Sequence, residues 1–158
     1  MNKEYQIRLA MTEDIDDMNT VLKMSTSIWN RSEKEVEGLV DLLKFTKDSL
    51  DNSICYIAQA QNNLIGFFCI SRNNDEHGLN PARLYIVPDF IKQGVGSYLW
   101  NKVIYKMRII GFESVKFLSE PNSVGFYTKK GGYIVGEKAS EITPGLMIPI
   151  IQFDLKDR

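Results

Sequence analysis

The sequence predicts an α/β fold of the α+β kind, a central mixed β-sheet flanked by helices. Strand-type segments in the first half pair as a hairpin, whereas those in the second half alternate with helix-type segments. Such an order needs one sheet with helices covering its faces. The composition is also that of an ordinary globular chain, with 158 residues, 44% hydrophobic and 25% charged. That length suits one domain, 1–158, with one substantial core.

In chain order, "YQIRLA" (5–10) reads as a first strand. Thr12 is expected to cap the next helix, with carboxylates in its first turn where the helix dipole favours them. Ile15, Met18, Val21 and Leu22 mark its apolar face. "STSIWNR" lacks periodicity and reads as an irregular corner. "SEKEVEGLVDLLKF" is a second helix: Ser32 caps it, Glu35 completes a capping box, and Val36, Leu39, Leu42 and Leu43 form its apolar stripe. "SICYIAQAQNNLIGFFCISR" is a hairpin turning near Asn62-Asn63, a pair that tolerates positive φ.

A polar stretch leads to the strand "RLYIV", ended by Pro88. From Gly94 a helix carries Val95, Leu99, Trp100, Val103, Ile104, Met107 and Ile110 on one broad face, with Gly111 suited to its C-terminal cap. Trp100 is therefore core. "SVKFL" is a short strand, "NSVGFYTKK" a short helix begun by Asn122 and stopped by Gly131-Gly132, and "YIVGE" and "MIPIIQFDL" are the last strands.

Charge narrows the function. With 19 basic and 20 acidic residues the net charge is -1, so no electrostatic footprint for nucleic acid or an anionic membrane exists. The N-terminus lacks the apolar region of a signal peptide, and no apolar run is long enough to span a bilayer. A cytoplasmic protein is expected. Cys55 and Cys69 lie in strand-like runs and are expected to be buried free thiols rather than a disulfide. His77 is the only histidine and no C-x-x-C spacing occurs, so no metal site is expected.

The informative stretch is "IKQGVGSYLW" (91–100), where two glycines two apart open a helix directly after a strand. Bare amides at a helix N-terminus make an anion site, and a tight turn is the mechanical alternative. The P-loop is excluded because Ser97-Tyr98 follows Gly96 where Lys-Ser/Thr is needed. The dinucleotide fingerprint is excluded because its third glycine position holds Leu99.

"YIVPDFIKQGVGSYLW" together with the downstream "EPNSVGFYTKKGGY" resembles the GNAT superfamily of acetyl-CoA-dependent N-acetyltransferases. Gly94 and Gly96 fall on the two small positions of that family's pyrophosphate loop. Asn122, Phe126-Tyr127 and Gly132-Tyr133 match its later segment in order. The tail "GEKASEITPGLMIPIIQFDL" looks like the ending of one bacterial branch, so the resemblance covers nearly the whole chain. Two departures stand out: Ile91 replaces the usual Arg or Gln, and Gly131-Gly132-Tyr133 replaces Gly-Phe.

The resemblance implies acetyl-CoA as cosubstrate and direct transfer of its acetyl group to a primary amine in a ternary complex. The amides of Gln93, Gly94, Val95, Gly96, Ser97 and Tyr98 would meet the pyrophosphate, helped by Lys92, Lys129 and Lys130. Backbone groups of Ile86 and Val87 would bond the pantetheine arm, with the amide near Val87 facing the developing oxyanion. Tyr127 occupies the general-acid position, and Asn122 would cap its helix and touch the cofactor. For the acceptor side, Trp29, Glu76 and Glu120 are the candidates, Asp75 and His77 lying beside Glu76. The general base and the acceptor, small molecule or peptide, stay open, as does a homodimer. Other readings are a non-catalytic acyl-CoA sensor on the same fold and a transferase of longer acyl chains.

Overall fold

Two strands that carry apolar residues without strict alternation must be covered on both faces. That is the state of β2 (Ser53–Ala60) and β3 (Asn63–Ser71), the hairpin at the centre of the computed structural model, which describes residues 4–27 and 31–156. Gln61 and Asn62, with φ of 51° and 67°, form the two-residue turn between them. The expected turn sits one residue earlier than "Asn62-Asn63", because a two-residue loop with both φ positive matches the twist of its strands.

β1 (Gln6–Leu9) pairs antiparallel with β2, and β4 (Ala82–Ile86) with β3, giving the sheet order β1-β2-β3-β4. A second antiparallel sheet has the order β5-β7-β6, from β5 (Ser114–Leu118), β6 (Tyr133–Ala139) and β7 (Met147–Asp154). The expected central sheet is thus divided between β4 and β5. Asn80, just before β4, joins the halves. Its N–H donates to the Lys116 carbonyl at 2.6 Å, and its side-chain oxygen accepts from the Lys116 N–H at 3.4 Å. Beyond this buried joint no ladder connects β4 to β5.

One face of the first sheet carries α1 (Ile15–Ser27), whose Met18, Val21 and Leu22 are buried with Phe45, Ile57 and Phe67. The start of this region corrects the expected cap. Met11, not Thr12, takes the cap position of a 3₁₀ turn over Thr12–Asp14 that runs into α1. Asp14 reaches back to accept the Met11 N–H at 2.8 Å and pairs with Arg8 at 2.8 Å. The Arg8 guanidinium, through its hydrogen bonds and then its charge, holds the Asp14 carboxyl below the usual carboxylate range. α2 (Glu33–Leu43) starts with the expected Ser32–Glu35 capping box. A five-residue α3 (Lys47–Asp51), capped by Thr46, precedes β2.

The other face carries α4 (Val95–Ile110), closed by Gly111 at φ 109°. The Gly111 N–H donates to the Arg108 carbonyl and the Phe112 N–H to that of Met107, the Schellman arrangement. Trp100 is core as expected: it stacks on Phe68 at 5.4 Å and meets Phe153 edge-on at 5.0 Å. α5 (Val124–Lys129) lies beyond β5 and ends at Gly131-Gly132, as its glycines predict.

The two cysteines correct the expectation of free thiols. Cys55 and Cys69 lie opposite each other in the β2–β3 register and are joined as a disulfide. The Cys55 carbonyl accepts from Ala10 of the neighbouring chain segment, so toward β3 this is a non-hydrogen-bonded pair. Such pairs bring Cα atoms closest, here 4.1 Å apart. With the thiols joined, the basis for expecting a reducing compartment goes. No helix among the described residues is long and apolar enough to cross a membrane.

Candidate active site

The division between β4 and β5 opens a fork, and the pairing of β4 decides what backbone it presents. The Ser71 N–H donates to the Pro81 carbonyl and the Val87 N–H donates to the Ile65 carbonyl at 2.8 Å. Odd-numbered residues of this strand therefore turn their backbone groups to β3, and even-numbered ones, Leu84 and Ile86, turn theirs to the fork. This corrects the expectation for Val87, whose amide is already engaged. Ile86 faces the fork, its carbonyl accepting from the Ser25 hydroxyl at 3.3 Å.

At one end of the fork the chain runs through a Pro88–Phe90 3₁₀ turn into α4. Lys92 and Gly94 have positive φ, 64° and 85°. The first bond of α4 runs from the Tyr98 N–H to the Gly94 carbonyl at 3.1 Å. Three amides, of Val95, Gly96 and Ser97, thus stand ahead of the helical ladder at the positive end of the dipole. The Tyr98 amide does not, and its exposed ring packs on Tyr5 at 6.1 Å. Gln93 braces the loop, its side-chain nitrogen donating to the Asp89 carbonyl at 2.6 Å. The two glycines have separate reasons. A Cβ on Gly94 would meet only ordinary contacts, the Tyr98 ring at 3.8 Å and the Tyr5 hydroxyl at 4.0 Å, but its φ disfavours any Cβ, whereas a Cβ on Gly96 would lie 3.2 Å from Ile86 and 3.4 Å from Phe126.

A cavity of about 690 Å³ runs from this loop, past β4 and β5, to a wall made by α2 and the β6–β7 connection. It explains why the α2 stripe is only partly covered: Val36 is buried, but Leu39, Leu42 and Leu43 line the cavity. Tyr127 lines it from α5, 4% exposed, its ring held by Phe117 at 4.8 Å and Phe126 at 5.3 Å. The Gly131-Gly132 pair fixes this placement. Gly131 adopts φ 102°, and the Gly132 N–H donates to the Tyr127 carbonyl at 3.0 Å, an approach a side chain at 132 would block. Among the described residues nothing hydrogen-bonds the Tyr127 hydroxyl. Burial, and then the neighbouring Tyr85 and Glu120, push its pKa far up, so the phenol keeps its proton.

Glu120 lies at the fork, paired with Arg31 at 3.0 Å. Asn122 lines the cavity but does not cap α5, which begins from the Pro121–Ser123 turn with no side-chain cap. Glu76 is an exposed partner of His77 at 3.4 Å, and Asp75 is occupied in accepting the His77 and Leu79 amides. Lys92 lines the cavity, while the Lys130 ammonium lies over Phe126 at 5.7 Å. Trp29 lies outside the described residues. No cluster of three or more His, Cys, Asp or Glu among the described residues is arranged to hold a metal.

Sequence reasoning missed Tyr85, Arg83 and Arg31. Tyr85 is partly buried, near Arg83, Glu120 and Arg31, and desolvation first, then Glu120, raise its pKa against the lowering pull of the two arginines. Alternation along "ARLYI" was a usable signal, because it sets Arg83 and Tyr85 on one face and Leu84 and Ile86 on the other.

The acetyltransferase (GNAT) family model matches residues 15–133. No curated protein matches the sequence. Among solved structures the fold is similar to a GCN5-related N-acetyltransferase from Rhodopseudomonas palustris, at 17% identity over 98% of each chain with a TM-score of 0.78. It is also similar to the PaiA N-acetyltransferase of Thermoplasma acidophilum in complex with coenzyme A, at 20% identity over 96% of this chain and 99% of that one, TM-score 0.75. YncA from Salmonella typhimurium, solved with its cofactor acetyl-CoA, aligns at 14% identity over 99% of this chain and 96% of that one, TM-score 0.71. At these identities the likeness is one of fold.

Proposed function

The chain belongs to the acetyltransferase (GNAT) family, and on that premise we propose that it transfers the acetyl group of acetyl-CoA to a primary amine held in the fork between β4 and β5. The observation that carries this is the continuity of the fork. An unladdered strand edge leads into three amides at a helix N-terminus, with the Tyr127 phenol, whose hydroxyl has no hydrogen-bond partner among the described residues, beside the same cavity. The similar Thermoplasma and Salmonella structures, which contain coenzyme A and acetyl-CoA, support the choice of cosubstrate.

The residues fit such a ligand. The amides of Val95, Gly96 and Ser97 would meet its pyrophosphate, with Gly94 leaving the approach clear and Lys92 adding charge. Leu84 and Ile86 would bond the pantetheine arm through their outward backbone groups, and the Ile86 amide takes the oxyanion role first expected of Val87. Asn122 stands at the rim of the same cavity. Bound acetyl-CoA supplies a thioester, an acyl carbon open to attack by an amine.

Tyr127 is the proton donor in this reading. As the amine nitrogen forms its bond to the acyl carbon and the C–S bond breaks, the phenol passes its proton to the sulfur. The proton shed by the nitrogen returns to the phenolate through water, so the net products are an amide and a thiol. Glu120 would draw the amine toward the fork, while exposed Glu76 stays at its rim.

The test is turnover: acetyl-CoA with a panel of primary amines, following free thiol and the mass of the acylated amine. Amine-dependent release of both products in equal amounts is the expected result. Binding of acetyl-CoA with no acylated amine across the panel would instead leave an acyl-CoA sensor.

A further inference from the structure

Acetyl transfer as described makes no use of Arg83, which among the described residues is the one cationic side chain lining the acceptor end of the cavity with no acidic partner. Its guanidinium lies 4.7 Å above the Phe45 ring, and its buried Nε has no hydrogen-bond partner among the described residues. Phe45 is itself fixed: Asn19 accepts its N–H at 2.7 Å and donates to its carbonyl at 3.1 Å. The other cations near this end are matched, Arg31 by Glu120 at 3.0 Å and Lys138 by Glu141 at 3.5 Å. A guanidinium stays charged at neutral pH, and a buried charge with nothing opposite it is costly.

We propose that Arg83 anchors a carboxylate on the acceptor, so that the substrate class is a small amine bearing a carboxylate. This rests on the acetyltransferase reading and names the acceptor for it. With one face on Phe45, the guanidinium offers its planar edge, which matches a carboxylate in two parallel hydrogen bonds. A single unmatched positive charge also suits a monoanion better than a phosphate dianion. Position agrees. Arg83 and Tyr85 share the face of β4 that looks away from α4, and Ile86, where the thioester is placed, lies three residues further on, roughly 10 Å along the strand. A short acceptor therefore lies along β4, its carboxylate toward the closed joint at Asn80 and its amine toward Glu120 and Tyr127.

The experiment compares wild type with Arg83→Met, which keeps an apolar stem on Phe45 and removes the charge. Acceptors are glycine, β-alanine and 4-aminobutyrate against their carboxamides, which scans the amine-to-carboxylate spacing. The second readout needs no turnover: calorimetric titration of the coenzyme A-loaded protein with the N-acetyl forms of the same pairs. At one spacing the carboxylate should be favoured over its amide on the order of 10- to 100-fold in KM and in Kd, and Arg83→Met should erase the preference with acetyl-CoA affinity unchanged. Equal or better binding of the amide at every spacing, or a preference that survives Arg83→Met, overturns the proposal. If Arg83→Met does not fold, the wild-type ratio decides. If wild type takes up carboxylates but neither binds nor consumes acetyl-CoA, the acetyltransferase reading falls while the anion site stands.

Discussion

Tyr127→Phe is expected to lower kcat on the order of 100- to 10,000-fold, with acetyl-CoA affinity and Tm nearly unchanged. The hydroxyl is the only atom removed, and the ring keeps its contacts with Phe117, Phe126 and Trp100. No described residue hydrogen-bonds that hydroxyl, so its loss breaks no hydrogen bond among the described residues. Its contribution belongs to the transition state, so kcat and kcat/KM should fall together. Steady-state turnover on one identified amine, with a thermal melt beside it, makes the measurement. Turnover within about twofold of wild type would reduce Tyr127 to core packing, and a large fall in Tm would show a structural hydroxyl.

Gly94→Glu is expected to weaken acetyl-CoA binding on the order of 100-fold or more while the fold survives. Two effects add. At φ 85° any Cβ is disfavoured, worth about 1–2 kcal/mol, and the new carboxylate sits where the pyrophosphate must lie. Gly94→Ala separates them, since it carries the backbone strain without the charge. Calorimetry should show Ala weakening binding much less than Glu. Unchanged affinity in Gly94→Glu would mean that the glycine serves the turn alone.

What the sequence revealed and what it hid divide along one physical line. Local chemistry was legible: the Ser32–Glu35 box, the Gly94 and Gly111 ends of α4, the Gly131-Gly132 stop, and the periodic face that buries Trp100. Each depends on residues within a turn or two. The errors depend on register. Whether Val87 or Ile86 offers a free amide is set by the pairing of β4 with Ile65 and Gly66, and whether Cys55 meets Cys69 is set by the β2–β3 ladder. A one-residue change in either register would reverse the answer. Asn122 was expected to cap α5 from its position in a motif, yet α5 starts without a side-chain cap. The acceptor end was least legible. Arg31, Leu39, Arg83, Glu120 and Ile142 come from five separate segments that only the fold brings to one cavity.

Hydrogen exchange of the backbone amides, with and without acetyl-CoA, tests most directly whether the fork is the cosubstrate site. The backbone N–H groups of Leu84 and Ile86 point to the fork, away from β3, and Val95, Gly96 and Ser97 precede the first bond of α4. Bound acetyl-CoA should slow exchange at these five amides, while Val87, already bonded to Ile65, changes little. Saturating acetyl-CoA that leaves the exchange of Ile86, Gly96 and Ser97 unaltered would place the ligand elsewhere and contradict the assignment.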